Sequence, residues 1–390
     1  MVSDREYVPA CSHSAAKYAY GSIFLVISIL SWILRGTEFG YSSLNGMRRL
    51  KQCNGKADCL EAQGVFRMSF GCFMFFFVMF VSTVGTSEKD SCRGRWHSGS
   101  IGIWISKFVL ICLLIFISFF LPPEMISIYG GFAYAGAWFF LIFQSISIMS
   151  FINKIHKWCH PEKDDEDKSK KYWFLLIFAN IMIWVPIIFM FYWYVIRTFC
   201  KANFLIIFGT VTLIGGMYSL SLLPGAKAVS LRSSLMGTYV LFLCGSAIKS
   251  EPPVDKCAGW GGSDTSKVDA LTIIGFLVAF GAMVFAVYST GIDSESFRVI
   301  TKHIPCIPQN KYDYDDDDVP YGYGFFHLVF ATASMYSAML FVNWNIHHPS
   351  DKKFAIDSGW TSTWMKIANE VFTAIVYAIV LFADIRAGDG

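Results

Sequence analysis

The side chains in this sequence that could do chemistry are few, and three of them fall where charge is expensive. Arg67 opens an apolar run, Lys107 lies about two turns into the next one, in WISKFVLICLL, and Glu370 sits inside MKIANEVFTAIVY. A charge at the middle of a bilayer costs about 2.5 kcal/mol or more, so such groups must face a partner, water or a polar ligand. Arg67 and Lys107 are read either as side chains reaching back to the interface or as cations that attract a lipid phosphate. Glu370 is read as a partner of Lys107 or Lys366, or as a headgroup contact. Gln144 has the same two readings, structural hydrogen bond or headgroup contact.

Covalent chemistry has no visible constellation. His156-x-x-Cys159-His160 offers three ligand types but no second cluster at finger-like spacing, so no metal is expected. His160 and Asp165 form an H-x4-D pair, the spacing of membrane acyltransferases, but the flanking PEKDDEDKSK is too charged to line an apolar pocket. There is no G-x-S-x-G elbow and no phosphate-binding glycine loop. The expectation is a protein that is not an enzyme and needs no cofactor.

The elements that must hold these residues follow from composition. Of 390 residues, 54% are hydrophobic and 16% charged, against about 25% charged in a soluble domain. That is an all-α, polytopic membrane protein. The net charge of +3 is spread along the chain, which leaves nucleic-acid binding without support. Runs of about 20 apolar residues predict ten spans: 16–39, 66–85, 99–121, 130–160, 172–196, 202–223, 233–248, 268–291, 323–344 and 362–383. The seventh is short and rich in Ser, Gly, Thr and Cys, which suggests a helix buried among others. Pro186 should kink the fifth.

The fourth run is about 46 Å long as a helix, against a hydrocarbon core of about 30 Å. Gln144, Ser147, Ser150, Lys154 and Lys157 fall within an arc of about 140° on it. A helix too long and polar along one edge should tilt or project. Ten spans place both termini on one side. With the N-terminus cytoplasmic, Lys and Arg number 17 inside and 12 outside, which favours both termini cytoplasmic. The charged stretch Lys163–Lys171 and the acidic Tyr312–Asp318 then fall in cytoplasmic loops. Cys53, Cys59, Cys200 and Cys257 fall in outer loops, where the pairs Cys53–Cys59 and Cys200–Cys257 are expected.

Several of these stretches, taken in order, resemble the serine incorporator (SERINC) family, also called the tumour differentially expressed family. They include Arg67-Met-Ser69-Phe70-Gly71, Trp96-His97-Ser98-Gly99 with Trp104 and Lys107, and Phe119-Phe120-x-Pro122. Further along come Phe139 to Gln144, Ser150-Phe151, Leu231-Arg-Ser233-Ser234 and Ser250-Glu251-Pro252. Tyr323-x-Phe325-Phe326-His327, Asn343-Trp344, Trp364-x-Lys366 and Asn369-Glu370 complete the series, the last two as in plant members. The resemblance implies ten helices in two bundles, bridged by a long diagonal fourth helix and a crossing eighth, with a lipid-lined groove between them. It implies handling of serine-derived lipids, phosphatidylserine and sphingolipids, either as a non-selective phospholipid scramblase or by facilitating serine incorporation. Scaffolding of serine-using lipid-synthesis enzymes, or serine transport, is the alternative. The expected partners are membrane phospholipids, sphingolipids and those enzymes, with oligomerisation left open. The expected location is the plasma membrane, the endomembranes (ER, Golgi, endosome), or both. The expected headgroup contacts are Arg67, Lys107, Gln144, Ser147, Ser150 and Glu370. Ser150 stands where many members carry an acidic residue.

Overall fold

A computed structural model describes residues 13–36, 57–86, 92–159, 166–197, 200–223, 230–251, 270–292, 322–344, 357 and 359–388. Its helices are α1 His13–Gly36, α2 Ala57–Thr83, α3 Cys92–Ser98, α4 Ile101–Phe120, α5 Pro123–Cys159 and α6 Glu166–Met190. They continue with α7 Lys201–Ser221, α8 Ser230–Lys249, α9 Ala270–Ile292, α10 Tyr323–Phe341 and α11 Trp360–Gly388. There is no strand among the described residues.

Nine of the described helices are long and apolar enough to cross a membrane. The stretch expected as the eighth span is also helical, as α9, and contributes the shorter apolar segment Phe280–Ile292. Three starts precede the sequence reading by six residues or more, α6 among them, at Glu166 instead of 172. α2 begins at Ala57, so Arg67 lies ten residues inside the helix instead of opening it. The preceding ADCLEAQG is rich in good helix formers, and Leu60 and Ala62 are buried. α5 begins at Pro123 and runs 37 residues, about 56 Å. The helix boundary is set by Pro122-Pro123. A residue before proline is held extended, which Leu121 is (φ −66°, ψ 145°), so α4 stops there. Proline in a first turn lacks only an N–H that has no helix partner, so α5 can start on it, and Glu124 suits the positive end of the helix. Pro186 lies inside α6, which continues as a π-helical stretch, Phe191–Arg197.

The chain divides into two compact units. The first holds α1–α4, α5 as far as Phe140, and α9 and α10. Here α2 is central and packs on α1, α4 and α10. Tyr20, Phe75, Phe76, Phe326 and Phe330 form an aromatic core at centroid separations of 4.5–6.5 Å. The expected crossing helix, α9, packs against α10 within this unit. Gly71 is where α2 and α4 meet: a Cβ there would stand 2.7 Å from the Ile115 Cα. Because backbone cannot yield as a side-chain tip can, Gly71→Val is expected to destabilise the first unit by about 1–3 kcal/mol. A lowered melting temperature in detergent checks this.

The second unit holds α5 from Leu141, α6–α8 and α11. Its centre is α8, the small-residue helix, which packs on α6, α7 and α11. Its apolar core joins Ile183 of α6, Ile214 of α7, Val240 and Cys244 of α8 and Tyr377 of α11. Outward faces in both units are apolar: Ile105, Phe108, Val109 and Phe116 on α4, and Phe174, Ile177, Trp184 and Ile188 on α6 are all exposed. In a soluble protein such stripes would drive aggregation; on membrane helices they are the surface that meets lipid.

Candidate functional site

Lys107 is fully enclosed. Its ammonium donates to the His97 carbonyl at 2.9 Å, at the end of α3. It also lies 4.1 Å from the ring centroid of Trp104, one turn back on α4, 5.2 Å from Tyr20 of α1 and 5.7 Å from Trp96 of α3. Aromatic faces attract a cation most strongly when water is excluded, by about 2 kcal/mol or more. Tyr20 donates to the same His97 carbonyl at 3.0 Å. The His97 ring stacks on Tyr323 at 3.9 Å, and its Nδ1 is 3.0 Å from Nε2 of His327. Lys107 therefore ties α1, α3, α4 and α10 together. The ammonium expected to attract a lipid phosphate is here surrounded by protein groups.

Arg67 is equally enclosed. Its Nη1 donates to the carbonyls of Ser118 at 2.6 Å and Leu121 at 2.9 Å. These lie at the C-terminal end of α4, where carbonyls lack helix partners and the helix dipole is negative. The guanidinium thus satisfies the end of α4 at the point where Pro122 breaks the chain.

The polar edge of α5 divides by depth of burial. Gln144 and Ser147 are half-buried, Ser150 is buried, and Lys154 and Lys157 are exposed. Ser145, about 100° around the helix from Gln144, is fully buried and donates to Asn369 Oδ1 of α11 at 3.0 Å. Thr373 donates to Ser145 at 3.1 Å. Glu370 is 2% exposed and lies beside the Thr210 side chain of α7, whose hydroxyl donates to the Ile206 carbonyl at 2.9 Å. Glu370 is enclosed by helices. The carboxylate on Lys366 is Asp357, at 2.7 Å, rather than Glu370.

Several sequence readings fall elsewhere. Cys53, Cys257, His160, Asp165 and the acidic stretch 312–318 lie outside the described residues. Each expected disulfide therefore has one member that is not described. The free thiols among the described residues are Cys72, Cys92, Cys112, Cys159 and Cys244, which include neither Cys59 nor Cys200. The sequence reading passed over Arg35, buried at 2% exposure and facing Glu61, and the buried Ser145, Thr210 and Thr373. One signal was available for α11: polar residues at 362, 366, 370, 373 and 377, a helical repeat.

Helices long enough to span, apolar outer faces and charges enclosed by protein define a multi-pass, all-α integral membrane protein. A family model described as serine incorporator (Serinc) matches residues 5–305 and 301–388, so the chain belongs to the serine incorporator family. Among its relatives, a probable serine incorporator of Dictyostelium discoideum is 28% identical over 353 residues, covering 85% of this chain and 81% of that protein. Serine incorporator 2 of Bos taurus is 24% identical over 426 residues, covering 96% and 92%. Serine incorporator 2 of Homo sapiens is 23% identical over 375 residues, covering 85% and 80%.

Proposed function

We propose that this protein handles serine-derived membrane lipids without making or breaking bonds, by letting phospholipid headgroups cross the bilayer. The observation that supports this is the partly open polar edge of α5. Gln144 and Ser147 keep solvent access on a helix whose neighbouring Phe139 and Phe151 are exposed apolar side chains. Amide and hydroxyl groups there offer a headgroup hydrogen bonds that hydrocarbon denies it, while the acyl tails stay in lipid. Arg67 and Lys107 are spent on protein carbonyls and aromatic rings, so the path rests on neutral groups. Both termini are proposed to be cytoplasmic, in the plasma membrane or endomembranes.

Purified protein in liposomes carrying a fluorescent phospholipid, with a membrane-impermeant quencher added outside, tests this. The expected result is quenching beyond the outer-leaflet half. Quenching that stops at the outer leaflet overturns the reading. Gln144→Leu together with Ser147→Leu is expected to slow flipping about tenfold, which corresponds to a barrier raised by about 1.4 kcal/mol.

The names of the relatives favour a second reading, delivery of serine to lipid synthesis. The protein would then co-purify with serine-using lipid enzymes, or carry radiolabelled serine into proteoliposomes, with no flipping of lipid.

A further inference from the structure

α11 carries a polar stripe facing inward. Ser362, Lys366, Glu370, Thr373 and Tyr377 fall within an arc of about 80° and extend about 22 Å along the helix. All but Lys366 are 2% exposed or less. A membrane helix normally turns such groups to a partner or to water; here Ser362 donates to Asp357, just before α11, and the others lie beside polar groups of α5, α7 or α8.

At one end, Lys366 pairs with Asp357 at 2.7 Å and donates to the Ser246 carbonyl at 3.1 Å and to the Ser250 hydroxyl. Beside Ser250, the buried Glu251 accepts from the buried Asn203 amide of α7. One turn along, Glu370 lies beside Thr210 of α7 and the Cys244 thiol of α8. Asn369, Ser145 and Thr373 form the chain of hydrogen bonds given above, with the Tyr239 hydroxyl next to Asn369 and Ser145. One further turn along, the fully buried Tyr377 hydroxyl lies beside Ser233, with Arg232 and Tyr218 near, and completes no hydrogen bond of normal geometry. Tyr218 then links to Ser234 at 2.7 Å and to Asn180 of α6 at 3.0 Å. The steps between levels along α11 are single helical turns, about 5–6 Å.

We propose that the interior of the second unit is a proton path, with Glu370 as the carrier at mid-depth and the hydroxyls and amides on either side as the relay. Serine, threonine and asparagine pass hydrogen bonds without ionising, and free tyrosine ionises only near pH 10. Glu370 supplies the carboxyl group of the middle level, a side chain that carries a proton when neutral and releases it when ionised. A hard metal cation would want six or more oxygens around it, and no group of three metal-ligating acid, histidine or cysteine side chains converges among the described residues. A proton enters past the Lys366–Asp357 pair, binds Glu370 and leaves past Tyr377 and Tyr218, or runs the reverse way. One positive charge crosses per proton, driven by the gradient alone.

The test uses the full chain in phosphatidylcholine vesicles loaded with a pH-sensitive dye. A pH step is applied, with potassium and valinomycin present to balance charge. The gradient is expected to decay at least tenfold faster than in protein-free vesicles. Glu370→Gln should return it to the protein-free rate, while Glu370→Asp keeps measurable flux. As a check independent of variant folding, wild-type protein is treated with dicyclohexylcarbodiimide, which adds across a carboxyl O–H and rearranges to an N-acylurea. The flux should stop and the added mass should map to Glu370. Wild-type flux no faster than protein-free vesicles overturns the proposal, as does flux that survives Glu370→Gln or the carbodiimide. Lipid flipping is read in the same vesicles by its own fluorophore, so failure of one reading leaves the other standing or falling by itself.

Discussion

Arg67→Ala is expected to lower the unfolding free energy by about 3 kcal/mol or more, and to unfold the first unit at temperatures where the native chain survives detergent extraction. The guanidinium serves two carbonyls, those of Ser118 and Leu121, at a helix end where Pro122 offers no N–H and the Leu121 N–H reaches the Ser118 carbonyl only at 3.4 Å. Both bonds come from a charged donor inside protein, where water cannot replace it. Leaving a buried acceptor without a donor costs about 1–3 kcal/mol each. Arg67→Lys should recover part of the loss, since both bonds leave one nitrogen, Nη1, and an ammonium keeps the charge and the donors but on a shorter stem. The check is the melting temperature by size-exclusion recovery after heating, wild type against both variants. An alanine variant as stable as wild type would show that the end of α4 is solvated by something else.

Lys107→Glu is expected to be the most damaging single substitution in the first unit. The new carboxylate would face the His97 carbonyl and the negative faces of Trp104, Tyr20 and Trp96, with no cation in place of the lost one. Uncompensated burial of a charge costs about 3–5 kcal/mol in proteins, and the chain should fail to accumulate as a monodisperse species. Lys107→Met is the informative comparison. It keeps length and apolar stem, and the His97 carbonyl retains the Tyr20 hydroxyl as donor. It should cost only about 2 kcal/mol, from the lost cation–aromatic attraction. If Lys107→Met and Lys107→Glu behave alike, the side chain is not held as described.

The sequence made the spans legible because each apolar run exceeds the thickness of the hydrocarbon core, and that signal is local. It also placed Lys107 inside a span, since two turns of apolar residues precede it. What it could not give were partners. Lys107 meets Tyr20, 87 positions earlier, and His97 meets His327, 230 positions later; no periodicity encodes such pairings. Arg67 was misread for a different reason. Its helix begins in the amphipathic ADCLEAQG, so a hydropathy run that starts at Phe66 misses the first two and a half turns. On α5 the fully buried polar residue is Ser145, which lies off the edge formed by Gln144, Ser147 and Ser150. For Glu370, the expected ion pair at one turn's spacing lost to a closer competitor: Asp357, held at φ 59° just before α11, occupies Lys366.

The inward polar stripe of α11 also bears on how the protein is made. A helix carrying Lys366, Asn369 and Glu370 partitions poorly into lipid by itself, since each central charge adds about 2.5–3.5 kcal/mol to insertion. The groups that receive these side chains belong to α5, α7 and α8, all synthesised earlier. When α11 leaves the ribosome its acceptors already stand in the membrane, so it can enter by docking onto helices rather than by dissolving in lipid. Arg67 has the opposite timing, because the end of α4 that receives it is translated some fifty residues later. Biogenesis of the first unit therefore includes an interval in which α2 must be sheltered, by the translocon or a chaperone, until α4 arrives.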